Sequence, residues 1–358
     1  MISLIPKIPL YKSYRVFGWP KRLPLNLTLN VTYHCPSRCR TCNIWQKKTD
    51  EFTLVEWKKT FKSIRSPVYW LILSGGEPFA HKDLPELARL AYNYLKPKVI
   101  NIPTNGFLVD IIPSAVEKIL QNCLTSKVVI NFSLDGLAEK HDKIRNLEGS
   151  FKNLMQSYTA LQKIKNPRLT IGVHSVVSKL NFENFPEIYK FVEKNLHPDS
   201  YITEIAEKRT ELDNRDLKIF PDEKEYAKAI DFLLEKMEHK KAHGFSKITR
   251  ALRINYYEIT KKVLHKKTQI IPCYAGFASG QISAEGEVWS CCVRGENMGN
   301  LRDENYDFQK IWFGKKAASL RKSIKNKECY CPLASASYTS MLMDPKTLIK
   351  IAYKLIIK

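Results

Sequence analysis

Residues 25–32 read Leu-Asn-Leu-Thr-Leu-Asn-Val-Thr and alternate apolar with polar at period two, which predicts a strand with one buried face. Short apolar runs at 68–73, 99–102, 128–134, 169–177 and 201–205 predict five more strands. Between them, stretches at 53–64, 83–95, 111–122, 149–164 and 181–195 carry the 3.6-residue period of amphipathic helices. Strand and helix alternate, so the strands should lie parallel with helical crossovers. Six such units make either an open doubly wound sheet or a partial barrel, and in both the ligands gather at the carboxyl ends of the strands.

A polar stretch at 206–222 reads as a boundary or linker, and helical patterns follow at 223–243 and 247–265. The region from Cys273 to Pro332 reads as a separate module anchored by cysteines. The expected divisions are a basic segment at 1–24, a core at 25–205, linker and helices at 206–265, the cysteine module at 266–335, and a basic amphipathic helix at 336–358.

Composition narrows this picture. The 358 residues suffice for two domains and a sizeable core. The nine cysteines fall into two groups with Cys123 alone between them, which reads as metal ligation in a reducing, cytoplasmic compartment rather than a disulfide framework. Cys123 itself reads as an ordinary buried thiol. No apolar run is long enough to span a bilayer, and the N-terminus lacks the pattern of a signal peptide. Lys and Arg exceed Asp and Glu by 58 to 36, and the first acidic residue is Asp50. In the final helix Lys346, Lys350, Lys354 and Lys358 form one stripe, beside Leu348, Ile349, Ile351, Ala352, Leu355 and Ile356. That pattern suits a peripheral contact with an anionic membrane, at the inner face, or docking on the protein's own surface.

The chemistry-bearing residues cluster where the predicted strands end. Cys35, Cys39 and Cys42 follow the first strand with the spacing C-x3-C-x2-C. A cube of four irons held by three thiolates keeps one iron open to a small molecule, whereas structural zinc wants a fourth protein ligand. After the second strand come Gly75, Gly76, Glu77 and Pro78, where glycine lets the backbone approach a ligand and the carboxylate suits an ammonium group. Thr104 and Asn105 end the third strand. Ser133 and Asp135, two apart at the end of the fourth, would share one face and suit the hydroxyls of a ribose. Each of these short motifs also reads as a plain turn.

Taken together, in order, they resemble the radical S-adenosylmethionine (SAM) superfamily. The resemblance covers 25–205 and implies an α/β fold, a partial (β/α)6 barrel of parallel strands. It implies that Cys35, Cys39 and Cys42 ligate a [4Fe-4S] cluster whose open iron binds SAM. Gly75, Gly76, Glu77 and Pro78 would contact the SAM amino group, and Ser133 and Asp135 the ribose. The segment from His141 to Phe151 is similar to one in which an arginine, here Arg145, pairs with the SAM carboxylate. The family's aromatic residue before the third cysteine is Thr41 here, so Tyr33 or Trp45 would cover the adenine.

Cys273, Gly286, Cys291, Cys329 and Cys331 resemble the SPASM and twitch accessory domains, the one-cluster twitch type most closely. Four thiols there close a second, auxiliary iron-sulfur cluster or a zinc site, with Cys292 as an alternative to Cys291. The implied activity is reductive cleavage of SAM to a 5'-deoxyadenosyl radical that removes hydrogen from a peptide, sugar or lipid-linked substrate. A ferredoxin or flavodoxin would serve as reductant. Competing readings are a non-catalytic basic iron-sulfur or zinc protein binding nucleic acid or a partner, and a cyclase of the molybdopterin type. The first gives the SAM-type motifs no purpose, and nucleic acid is not an expected partner.

Overall fold

The computed structural model describes residues 2–239 and 245–357. In chain order the elements are α1 Ile8–Phe17, β1 Asn26–Thr32, α2 Leu54–Ile64, β2 Trp70–Gly75, α3 Leu84–Leu95, β3 Val99–Thr104, α4 Ile111–Asn122 and β4 Lys127–Ser133. Next come α5 Ala138–Arg145, α6 Ser150–Gln162, β5 Leu169–Val177, α7 Phe185–Phe191, β6 Ser200–Ile205, α8 Glu223–His239 and α9 Phe245–Lys266. The remainder is β7 Ser279–Ile282, β8 Glu287–Trp289, β9 Asn297–Asn300, α10 Phe308–Trp312, α11 Lys315–Lys325, α12 Ala334–Met343 and α13 Pro345–Ile357.

All six strands expected in the core are present, and β1 to β6 pair in sequence order, each parallel to the next. Leu27, Leu29, Leu71, Leu73, Ile100, Ile102, Val128, Ile130, Phe132 and Val173 are buried together against the flanking helices. Period-two alternation sends the residues between them to the other face: Thr28, Asn30, Ser74, Asn101, Asn131, Ser133, His174 and Glu204. Ile72, Val129, Val176 and Ile202 share that face, so the concave side of the partial barrel is the more polar one without being uniformly so, and it can host a ligand that offers hydrogen-bond partners.

Two expectations change. The cysteine module is not separate: β7 pairs parallel with β1, and β8 and β9 extend the same nine-stranded sheet by antiparallel pairing. The polar stretch 206–222 has no helix or strand, as its composition predicts, yet it is no solvated linker. Glu211 and Asn214 in it are buried, and it is stitched to both cysteine regions. Asn43 N donates to Leu212 O at 2.8 Å on one side, while Thr210 N and Glu211 N donate to Val293 O and Cys292 O, each at 3.3 Å, on the other.

The chain termini are packed as well. α1 buries Tyr11 and Tyr14 against Tyr274, Phe277 and Met343. The basic end region is two helices, broken at Asp344, whose Oδ2 accepts from Thr347 N at 2.8 Å and starts α13. α13 lies on α9 with Thr347 and Ile351 buried and Lys350 paired to Glu258. The part of the lysine stripe at Lys354 and Lys358, with Leu355 and Ile356, lies outside the residues whose side chains are described. No helix among the described residues is long and apolar enough to cross a membrane.

Candidate active site

The loop after β1 carries Cys35, Cys39 and Cys42, all half-buried and free. Arg40 N ties it to α5 by donating to Ile144 O at 2.9 Å, and Cys42 N closes a turn within it by donating to Cys39 O at 3.1 Å. Burial, and then the neighbouring Cys39 and Glu77, push the Cys35 thiol up to about 12. Burial and Cys39 likewise raise Cys42. Burial disfavours the ionised form of these thiols, Arg145 offsets it only in part, and bound iron would supply the further positive charge. Among the described residues no three His, Cys, Asp or Glu side chains converge on a single ion. A cube does not ask for that, because each of its thiolates binds a different iron.

Gly75 and Gly76 pack backbone against backbone at the end of β1. A Cβ on Gly75, whose φ is +117°, would stand 2.1 Å from Thr32 O, and one on Gly76 would stand 2.4 Å from His34 O. Glu77 is 1% exposed and ties this turn to β3. Its Oε1 accepts from Phe79 N at 3.2 Å and from Thr104 Oγ1 at 2.9 Å. Its Oε2 accepts from Asn105 N at 2.7 Å. Burial pushes the carboxyl up to about 7 despite these donors. Pro78 is buried at the start of the short helical turn that follows. Asn105 Nδ2 donates to Ser37 Oγ at 3.1 Å and lies 3.9 Å from Cys35 Sγ, so the β3 end supports the cysteine loop directly.

The fourth strand holds a correction. β4 ends at Ser133, so Asp135 lies beyond it and the shared-face argument does not apply. Both oxygens of the buried Asp135 carboxylate are engaged by the protein: Oδ1 accepts from Val176 N at 2.8 Å, and Oδ2 pairs with Arg145 Nη2 at 2.7 Å. Asp135 thus holds Arg145 in place. Arg145 ends α5, a helix the sequence reading did not predict, and its Nη2 also donates to Ser133 O at 2.9 Å. Its Nη1 lies 3.7 Å from Cys39 Sγ, and its Nε is buried with no partner. Burial opposes the charge, but Asp135 and Cys39 outweigh it and hold the guanidinium protonated. Tyr33 is buried with Ile44 and Ala284, on the module side of the loop, and Arg38 lies 5.1 Å over the Trp45 ring.

In the C-terminal module burial pushes Cys273 up to about 12, with Cys291 and Cys329 adding to it. Burial likewise raises Cys331, with Glu207, Cys291 and Cys273 contributing. These four thiols thus sense one another, and Arg294 Nη1 lies 3.7 Å from Cys329 Sγ. Cys292 is buried, and after burial its chief influences are Glu211 and Arg209 on the core side. Cys292 packs with Leu333 and Ala336, and Cys291 and Cys331 lie against that cluster.

Sequence reasoning set His174 aside and missed Glu204, Glu207, Arg209 and Glu211. Ser133, His174 and Ile202 are aligned across β4, β5 and β6, and Glu204 follows on β6. Glu204 Oε2 accepts from Arg209 Nη2 at 2.9 Å, and Oε1 stands 3.6 Å from His174 Nε2, beyond hydrogen-bond reach. Glu207 lies 3.5 Å from the same guanidinium, and burial pushes its carboxyl up to about 7. Glu211 Oε1 accepts from Gln281 Nε2 at 2.6 Å, which also donates to Asn30 Oδ1 at 3.1 Å. His174 Nε2, Arg209 Nε and Asn30 Nδ2 are buried without a hydrogen bond, which puts nitrogen positions on and beside the polar face that a ligand could engage. No spacing rule could find these residues, because they meet only when β1, β5, β6, β7 and the 206–215 segment are assembled.

A family model described as the radical SAM superfamily matches residues 29–192, and one described as an iron-sulfur cluster-binding domain, SPASM, matches 273–332. The chain is 30% identical over 307 residues to the Fe-coproporphyrin III synthase of Methanosarcina barkeri, covering 79% of this chain and 72% of that protein. It is 25% identical to the AdoMet-dependent heme synthase of the same organism, covering 82% of each. Among solved structures, SuiB of Streptococcus suis bound to its precursor peptide SuiA superposes with a TM-score of 0.60 at 15% identity, over 84% of this chain and 67% of that one. That likeness is one of fold.

Proposed function

Because the chain belongs to the radical SAM superfamily and carries a SPASM domain, we propose that it is an enzyme removing a hydrogen atom from a substrate held on the polar face of its barrel. Its cofactors are the SAM-binding [4Fe-4S] cluster, SAM, and further iron-sulfur in the SPASM domain. When bound, the cluster and SAM together supply a 5'-deoxyadenosyl radical able to attack an unactivated carbon.

The observation that carries the assignment of residues is Arg145, which reaches Cys39, is held by Asp135, and keeps a buried Nε without a partner. In this reading Cys35, Cys39 and Cys42 hold the cluster, and Arg145 Nε meets the SAM carboxylate. Gly75, Gly76 and Pro78 shape the amino-group cradle. Glu77, braced by Thr104 and Asn105, accepts from that amino group. Ser133 faces the ribose, and Asp135 positions Arg145. Cys273, Cys291, Cys329 and Cys331 hold the auxiliary cluster, and a ferredoxin or flavodoxin supplies electrons from a cytoplasmic, reducing pool.

The nitrogen positions at His174, Arg209 and Asn30 suit a substrate rich in carboxylate or carbonyl acceptors. An iron tetrapyrrole is the reading the two long relatives favour by name. A peptide, whose carbonyls present the same acceptors, is the second. Anaerobically reconstituted protein with dithionite and SAM should release 5'-deoxyadenosine. Arg145→Lys should raise KM for SAM by about tenfold or more with iron content kept, since a point charge replaces a planar fork. An unchanged KM would remove Arg145 from the SAM site. Mass change in an added iron tetrapyrrole supports the first substrate reading, and change only in an added peptide selects the second.

A further inference from the structure

Among the described residues the two most exposed large apolar side chains sit two residues apart: Phe17, 81% exposed, and Trp19, 73% exposed. They form a tip at the end of α1, where Gly18 takes φ +77° and its N–H returns to Tyr14 O at 2.9 Å. The helix behind the tip is fixed. Tyr11 and Tyr14 are buried against the C-terminal module, and Arg15 Nε donates to Cys273 O at 3.0 Å. The two rings are thus held outward by a folded support.

A second observation, independent of the first, is charge. Lys325 Nζ donates to Val16 O at 2.8 Å, which brings the end of α11 against the tip. On and just past α11, Lys315, Lys316, Lys322, Lys325 and Lys327 are exposed, and no acidic residue occurs from Phe308 to Lys327. Lys21 beside the tip is exposed too, and residues 1–49 contain no acid.

We infer that this face is a reversible docking surface for an anionic lipid bilayer, with Phe17 and Trp19 entering the interface and the lysines of α11 against the headgroups. A bilayer accepts a convex apolar wedge without a complementary groove, and tryptophan favours its interface. Stable yet reversible attachment takes two signals, an apolar insertion and a basic patch, and both are present here. The inference uses a different surface from the terminal lysine stripe, and it does not rest on the catalytic reading.

The test uses the full reconstituted chain and vesicles of phosphatidylcholine alone or with a quarter phosphatidylglycerol. Binding should appear on the anionic vesicles and fade as salt rises. It should fall by roughly tenfold in Phe17→Ser/Trp19→Ser, and by a similar factor in Lys315→Gln/Lys316→Gln/Lys322→Gln/Lys325→Gln. Brominated lipid should quench wild-type tryptophan fluorescence and do so less in Trp19→Phe, which still binds. Far-UV circular dichroism and 5'-deoxyadenosine release in solution should match wild type in all variants, so a folding defect is read separately. Equal vesicle binding by the serine variant, or no binding by wild type to either vesicle, overturns the inference. So does a wild-type dimer that the serine variant converts to monomer, or lysine-dependent capture of acidic flavodoxin without vesicle binding, since either assigns the face to a protein.

Discussion

The two cysteine sites differ in how the chain assembles them. Cys35, Cys39 and Cys42 lie within eight residues on one loop, and the ends of β2, β3 and α5 close around them. Cys273, Cys291, Cys329 and Cys331 come from a much longer stretch with three strands and two helices between them. The thiols of the first loop are near neighbours in sequence before those elements close around them. The second set exists only in a folded module, so metal binding there is also folding energy. Arginine serves both sites, yet Arg145 is held by Asp135 inside the core whereas Arg294 pairs with Glu296 at the surface.

The largest effect should separate the sites by activity. Cys35→Ala/Cys39→Ala/Cys42→Ala should lower 5'-deoxyadenosine release by at least ~1000-fold, about 4 kcal/mol of barrier. The quadruple alanine variant at Cys273, Cys291, Cys329 and Cys331 should still cleave SAM but unfold at a lower temperature. Equal loss of cleavage in both would break the comparison. A finer cut concerns the adjacent pair: Cys291→Ala should lose about four irons per chain, one cube's worth. Cys292→Ala should keep them, because Cys292 is the buried member of the pair, packed with Leu333 and Ala336. The reverse result, read by iron and sulfide analysis, would exchange the two residues.

The smallest effect is a pH slope at Glu77 in metal-free protein. Burial raises this carboxyl from its ordinary 4.5 to about 7, so between those values the folded state holds a proton that the unfolded chain has lost. Stability from this group is present below the unfolded value and falls as pH rises through the folded one. Glu77→Gln should flatten the decline in urea midpoint between about pH 5 and about pH 7.5. An unaltered decline would assign it to another group.

Much of the core was legible because its signals are local. One period-two run and five short apolar runs located all six parallel strands, and β5 and α4 match their expected limits residue for residue. α5 escaped notice because Ala-Glu-Lys-His-Asp-Lys-Ile-Arg has almost no apolar stripe; only His141 and Ile144 are buried. Ser133 and Asp135 looked like a pair on one strand because spacing does not reveal where a strand stops. The charged set around Arg209 was hidden in a stretch whose polarity reads as a linker. Polarity there combines sequestered ion pairs, as at Glu207 and Arg209, with solvent-exposed charges such as Lys208 and Asp216, and composition alone cannot tell the two apart.

The pairing of β1 with β7 bears on how the chain is made. Asn26 meets Ser279, so a ribosome must deliver nearly the whole core before that edge of the sheet is covered. During that interval β1 offers unpaired amides and carbonyls to any passing strand, the condition under which chains stick edge to edge. The C-terminal module therefore also acts as the lid of a folding intermediate. A fragment ending before Ser279 should leave the ribosome sticky, whatever its cysteines hold.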